Sequence, residues 1–261
     1  MAVGYSTVMP RANRIRGDGG VFHVTHRCHN RAFLLKFARD RDFYRATLRR
    51  HIQEFDISVL DYCLTSNHVH LLLDSRERSE IARLMQVVEG QFALAYNRRK
   101  GRENAYWGDN YNATLVEEGD YLWRCLCYIE LNMVRCGVVA HPKDWPWVGF
   151  HEIMGTRCRY RLIDLERLCW RLRANSLEEV RSNLTASLAE MIAQEQVKRE
   201  AHWTESLAVG SRRFVEEAQP RAINRLETEI VETAQAVWVL KEAELPYGQK
   251  TGSKNACKAL K

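Results

Sequence analysis

Hydrophobic and polar positions recur with two different periods along residues 17–137, and the periods switch in a regular order. After the turn Gly17-Asp18-Gly19-Gly20, the run Val21-Phe22-His23-Val24-Thr25 has the β-branched and aromatic content of a strand. Residues 38–54 predict a charged helix, with Phe43, Leu48, Ile52 and the adjoining Phe55 on its apolar side. Ile57–Leu64 and His68–Leu73 read as two strands joined by the polar turn Thr65-Ser66-Asn67, a hairpin. Ser79 is placed to cap a helix to about Arg98, with Ile81, Leu84, Met85, Val88, Phe92 and Tyr96 at helical spacing. Tyr111–Val116 predicts a fourth strand. Asp120 opens a further helix that runs to Arg135 and stops at Gly137.

Strand, helix, strand, strand, helix, strand, plus one added helix, is the order of a ferredoxin-like α+β unit. Such a unit is expected to be an antiparallel sheet with helices packed on one face. Pro142, Pro146 and the pair Trp145/Trp147 close it, so residues 1–157 are expected to form one domain. Beyond them Leu162–Leu172, Ser176–Glu200, Ser211–Ala218 and Ile223–Glu244 all read as helices, an all-helical C-terminal region over 158–245. The basic stretch 246–261 is expected to be a disordered tail.

Composition narrows the class without naming a function. Across 261 residues, 46% hydrophobic and 28% charged excludes collagen-like and wholly disordered chains. No apolar run approaches the roughly 18 residues of a membrane span, and the start lacks a secretory apolar core, so a cytoplasmic location is expected. Eight cysteines without a Cys-x-x-Cys pair suggest neither a disulfide framework nor a zinc ribbon. The net charge of +6 is unevenly spread: residues 1–50 hold eleven basic residues against three aspartates, a local +8. Arginines dominate, among them Arg14, Arg16, Arg27 and Arg31, and a guanidinium can grip phosphate oxygens bidentately. A solvated face would look the same.

His68-Val69-His70 is the most informative triplet. On a strand, residues i and i+2 share a face, so both imidazoles project together as two of the ligands a divalent cation needs. Chance alone also produces His-x-His on strands. In the helix from Asp120, Tyr128 and Asn132 lie four apart on one face, bracketed by Arg124 and Arg135. Asn132 is a poor interior helix residue and could donate an oxygen to a metal, or simply face solvent. Tyr128 carries a hydroxyl competent as a nucleophile, or packs beside Leu126 and Ile129. Tyr121, seven residues earlier on nearly the same face, is the rival phenol. His23 and His26 fall on opposite faces of their strand, which argues against a zinc site there.

Asn67-His68-Val69-His70-Leu71-Leu72-Leu73 followed by Tyr128-Ile129-Glu130-Leu131-Asn132-Met133-Val134-Arg135 resembles the HUH single-tyrosine transposases, and within them the REP-associated tyrosine transposase branch of the IS200-like group. The resemblance covers roughly residues 8–155. It includes His23-Val24-Thr25-His26-Arg27 with Asn30-Arg31, Tyr106-Trp107-Gly108 and Asp144-Trp145-Pro146-Trp147. It implies an HUH fold, with Mg²⁺ or Mn²⁺ bound by His68, His70 and Asn132. Tyr128 would attack single-stranded or hairpin DNA, leaving a 5′-phosphotyrosine link and a free 3′-OH. Arg14, Arg16, Arg27, Arg31, Arg124 and Arg135 are the expected DNA contacts, and the protein is expected to act as a monomer or homodimer away from membranes.

The sequence departs from the family pattern at several places. Met133 stands where proline is usual and Cys136 where alanine is. Asp109-Asn110-Tyr111-Asn112 lacks the usual arginine and lysine, and Val148-Gly149 replaces a serine pair. A catalytically degenerate, nucleic-acid-binding regulator on the same fold is the alternative these changes leave open. A water-using phosphodiesterase is a third reading.

Overall fold

The computed structural model describes residues 15–108, 110–223, 227–233 and 237–243. Among them, strands β1 (Asp18–Arg27), β2 (Ile57–Leu64), β3 (His68–Glu77), β4 (Asn112–Val116), β5 (Ala208–Gly210), β6 (Thr228–Thr233) and β7 (Val237–Glu242) form one sheet. Their order is β2-β3-β1-β4-β5-β7-β6, with every pair antiparallel except β4–β5. The helices are α1 (Ala38–His51), α2 (Arg78–Lys100), α3 (Asp120–Glu130), α4 (Asn132–Arg135), α5 (Phe150–Ile153), α6 (Leu165–Leu172), α7 (Leu177–Ala193), α8 (His202–Glu205) and α9 (Arg212–Ala218). β2 has the predicted bounds. α2 starts at Arg78 with Glu77 in the cap position, two residues ahead of prediction, and Ser79 Oγ donates to Glu77 Oε2 (3.2 Å) instead of capping.

Register decides what each face of the sheet carries. β1 pairs with β3 so that His23 lies opposite Leu72, Thr25 opposite His70 and Arg27 opposite His68. Alternation then gathers His23, Thr25, Arg27, His68 and His70 on one face. Phe22, Val24, His26, Val69 and Leu71 point to the other. The second face takes α2, whose Arg78 lies over the Phe22 ring at 5.1 Å and whose Glu89 pairs with His26. α1 packs on α2 through the edge-on contact of Tyr44 with Phe92. The first face takes α3, α4 and α8. Helices therefore cover both faces, which corrects the one-face expectation. The reason lies in β1 and β3, where Phe22, His23 and Val24, and likewise Val69 through Ser75, are buried on both sides, so neither face can be left to water.

The C-terminal region is helical only in part. Caps set α6, α7 and α9: Asp164, Ser176 and Ser211 accept from the backbone N–H of Arg167 (2.9 Å), Glu179 (3.1 Å) and Phe214 (3.3 Å). The helix expected over Ile223–Glu244 is instead the hairpin β6–β7, and β5 docks parallel to β4, so the region is not all-helical. Two forces override the helical spacing. Thr228, Ile230, Val231, Thr233, Val237 and Val239 favour a pleated surface, and β5, docked on β4, presents an outer edge that β7 pairs. Leu115 N donates to Leu207 O (2.9 Å) and Glu117 N to Val209 O (3.0 Å), docking β5 on β4, and Leu207 N donates to Leu240 O (2.7 Å), joining the hairpin to it. Both Arg14 and the tail 246–261 lie outside the described residues. No helix of the described residues is long and apolar enough to cross a membrane.

On the histidine face, Asp61 of β2, registered with Leu72, and Glu130 at the end of α3 are both buried, with their carboxyl groups close enough to interact. Gly149 packs against Asp61, and a Cβ there would sit 1.9 Å from Asp61 Oδ1, so a serine in its place would force the Asp61 side chain to shift. Burial pushes both carboxyl groups well above the usual carboxylate range, with each other's proximity adding to the effect on Glu130. A folded-state value raised above the unfolded one contributes stability that is complete below the ordinary aspartate pKa and is lost as pH rises. Asp61→Asn should therefore gain on wild type as pH goes from 4 to 8, by up to about 1.4 kcal/mol per pH unit or a few degrees in Tm. Thermal melts at several pH values check this. A difference in Tm that stays flat with pH would show that Asp61 ionises freely.

Candidate active site

Four of the chemistry-bearing residues converge where α3 crosses the histidine face. Asn132 Nδ2 lies 2.9 Å from His70 Nε2, and the His68 and His70 rings are 4.8 Å apart, edge to face. The Tyr128 ring stands edge-on to His70 at 6.2 Å and to His23 at 6.1 Å. Tyr128 is 5% exposed. Helical geometry delivers Tyr128 and Asn132 together even though α3 ends at Glu130 and α4 restarts at Asn132.

Hydrogen bonds set the tautomer of each imidazole. His23 Nδ1 donates to the carbonyl of Trp203 (2.8 Å), which leaves His23 Nε2 as an acceptor. His70 Nδ1 lies 2.8 Å from that nitrogen and so must donate to it, leaving His70 Nε2 unprotonated, where it accepts from Asn132 Nδ2 (2.9 Å). His68 Nδ1 is 2.7 Å from Asn67 Oδ1, a pure acceptor, and this leaves His68 Nε2 unprotonated in the same way. All three rings are held neutral. Burial lowers His23 to about 4, with Arg135 adding to the effect and the Trp203 carbonyl opposing it. Burial and then Arg27 and Arg135 lower His68 to about 3. For His70, burial and the neighbouring His68 and His23 act in the same direction, well below the ordinary value.

The Tyr128 phenol is raised above its ordinary value, chiefly by burial and against the opposing pull of Arg135. Arg135 stacks its guanidinium 4.0 Å from the Tyr128 ring centre and donates to the Tyr128 carbonyl (3.3 Å). Arg27 follows His26 on β1, is registered with His68, and feels the charge of Tyr128. Arg31 is exposed on the loop that Asn67 Nδ2 holds by its Arg31 carbonyl (3.1 Å). Arg124, one turn before Tyr128, is exposed and lies 5.9 Å from the Tyr121 ring. Arg16 is not brought to this centre. It lies before β1, at the end opposite Arg27, where its N–H donates to the Arg221 carbonyl (2.7 Å). Tyr121 is about 10 Å from Tyr128 along the helix, away from the histidines.

The donor set fits a divalent cation. Both Nε2 lone pairs are free of their own protons, and Asn132 Oδ1 is buried without a partner. No group of three His, Cys, Asp or Glu able to hold a metal occurs among the described residues, because the third donor here is an amide oxygen. Two residues of this centre escape sequence reasoning. His23 reads as a lone strand histidine until the β1–β3 register sets it against His70. Trp203 lies 180 positions from His23 and acts through its backbone, so no side-chain pattern marks it. Asn112, at a usually basic position, donates instead to the Thr204 carbonyl and ties α8 to β4.

Residues 19–132 match the family described as "Transposase IS200 like". A Haemophilus influenzae protein described as a REP-associated tyrosine transposase is 26% identical over 119 residues, which span 42% of this chain and 68% of that one. A solved REP-associated tyrosine transposase, bound to a REP hairpin, is 18% identical with a TM-score of 0.47, covering 54% of this chain and 83% of that one. The stretch that matches the IS200-like transposase family, residues 19–132, thus contains β2 to β4 and nearly all of β1, and carries His23, His68, His70, Tyr128 and Asn132.

Proposed function

We propose that this protein cleaves and rejoins single-stranded DNA at hairpin-type sites, with Tyr128 as the nucleophile. The observation that carries the reading is the Tyr128 ring standing beside two imidazole lone pairs and the unpartnered Asn132 oxygen on one buried sheet face. Tyr128 Oη attacks the scissile phosphorus, the bond to the 3′ oxygen breaks, and the 5′ phosphate remains esterified to the protein. The phenol's proton ends, through solvent, on the released 3′ oxygen. One phosphodiester replaces another, so a 3′-OH can reverse the step without ATP. Arg135 and Arg27 lower the cost of negative charge on the phenol oxygen. His68, His70 and Asn132 would hold Mg²⁺ or Mn²⁺, which when bound supplies Lewis-acid stabilisation of the phosphate charge. Two imidazoles in the set favour manganese over an ion that prefers oxygen throughout.

The direct test is incubation with a stem-loop single-stranded substrate and Mn²⁺, followed by a denaturing gel. A protein–DNA adduct on the 5′ side of the break is expected. Binding without an adduct on any substrate would leave the regulatory, non-cleaving alternative.

The relay Trp203 carbonyl–His23–His70 gives a separate expectation. His23→Asn removes the acceptor that fixes His70 as the Nδ1–H tautomer, and loss of such outer partners costs about 10–100-fold in metal affinity. Calorimetry with Mn²⁺ should show that drop while the circular-dichroism spectrum stays native. Unchanged affinity would detach His23 from the metal site.

A further inference from the structure

A cavity of about 670 Å³ opens beside Tyr128, walled on one side by α3 and on the other by the segment following α7. We propose that it is a pocket for one unpaired nucleotide flanking the scissile phosphate, and that supplying its outer wall is a function of the C-terminal extension. The inference rests on the proposed DNA-cleaving role of Tyr128 and names a substrate contact within it.

Three properties of the lining point to a nucleotide. Its size lies in the range that encloses one small organic ligand. A base can enter such a pocket only after leaving the helical stack, as it already has in a single strand. The cations Arg124 and Arg135 lie on the Tyr128 side and Lys198 on the facing wall, so a phosphate entering from Tyr128 meets positive charge on both sides. The partly exposed Trp123 indole is pinned by its Nε1–H to Ser187 Oγ (3.3 Å), giving a ring face oriented in advance for stacking.

Acidic groups in the lining do not cancel this. Glu190 Oε1 accepts from Gln194 Nε2 (3.0 Å), and Glu200 Oε2 accepts from Trp203 Nε1 (2.7 Å) and faces His202. Glu195 is exposed at the rim. A wall of mixed sign suits a base edge better than a bare polyphosphate, which favours a nucleotide over a free anion.

The experiment uses the full chain carrying Tyr128→Phe, which holds substrate without turnover. Fluorescence anisotropy compares a labelled stem-loop bearing a short unpaired thymidine flank with the same stem-loop cut blunt. The flanked probe should bind more tightly, by about tenfold, the worth of one stacked base. Adding Arg124→Ala with Lys198→Ala, or Trp123→Leu, should bring the ratio of the two affinities close to one. The ratio is the readout because losing general phosphate contacts would lower both affinities together. A preserved flank preference in the Arg124→Ala/Lys198→Ala chain, whose changes lie at exposed side chains, overturns the pocket and leaves the cleavage reading intact. If the Tyr128→Phe chain binds neither probe, the DNA reading itself fails and the pocket falls with it.

Discussion

Tyr128→Phe is expected to abolish the covalent protein–DNA product completely while leaving the fold and DNA binding in place. The substitution deletes one oxygen, and the phenol ring keeps its packing against His70, His23 and Trp203. Arg135 retains its ring to stack on, although the phenol it helps to polarise is gone. Water cannot substitute for the lost step, since hydrolysis leaves no protein attached to either end. A denaturing gel with labelled stem-loop DNA and Mn²⁺ reads the outcome directly. Continued adduct formation by Tyr128→Phe, together with its loss in Tyr121→Phe, would move the nucleophile two turns along α3. Adducts from both variants would end the tyrosine mechanism for this chain.

Removing both imidazoles, in His68→Ala with His70→Ala, should eliminate Mn²⁺ binding and lower cleavage by about a thousandfold or more. A Lewis acid at the phosphate is worth several kcal/mol, and each 1.36 kcal/mol is tenfold in rate. The same change also strands His23 Nε2 and Asn132 Nδ2, which both face His70. Some loss of thermal stability is therefore expected, because unpaired buried polar groups cost about 1–3 kcal/mol each. For that reason metal binding is measured by calorimetry at a temperature where circular dichroism shows the variant folded. Metal-stimulated cleavage that survived in this folded variant would place the cation elsewhere.

The grouping of the candidate residues on shared faces is legible in the sequence because it depends on short-range periodicity. His68 and His70 share a face by strand alternation, and Tyr128 and Asn132 by helical spacing. Neither statement needs long-range information. Helix α3 does break between Glu130 and Asn132, yet the one-turn separation survives, because both segments keep helical geometry around a single irregular residue, Leu131. By contrast, Arg16 and Arg124 looked equivalent as basic residues. Only the direction of β1 and the course of α3 separate the arginine at the remote strand end from the one beside Tyr128.

The C-terminal half shows where periodicity stops being sufficient. Residues 223–244 have apolar positions compatible with a helix, and they also have β-branched residues at the positions a strand would use. The outer backbone edge of β5, itself docked on β4, resolves the ambiguity, since its N–H and C=O groups need partners that β7 provides. That need arises in another part of the chain and leaves no mark on residues 223–244 themselves.

Local order therefore determined which candidate residues share a face: two strand histidines, and a helix tyrosine with an asparagine one turn on. Tertiary structure alone decided how they are arranged together. It set the register that makes His23 the acceptor for His70, brought the Trp203 carbonyl from the extension to hold His23, and buried all three rings so that they stay neutral. Each of these depends on contacts between segments distant in sequence, where a hydrogen bond's direction and the absence of water are properties of the assembled interior rather than of any residue in it.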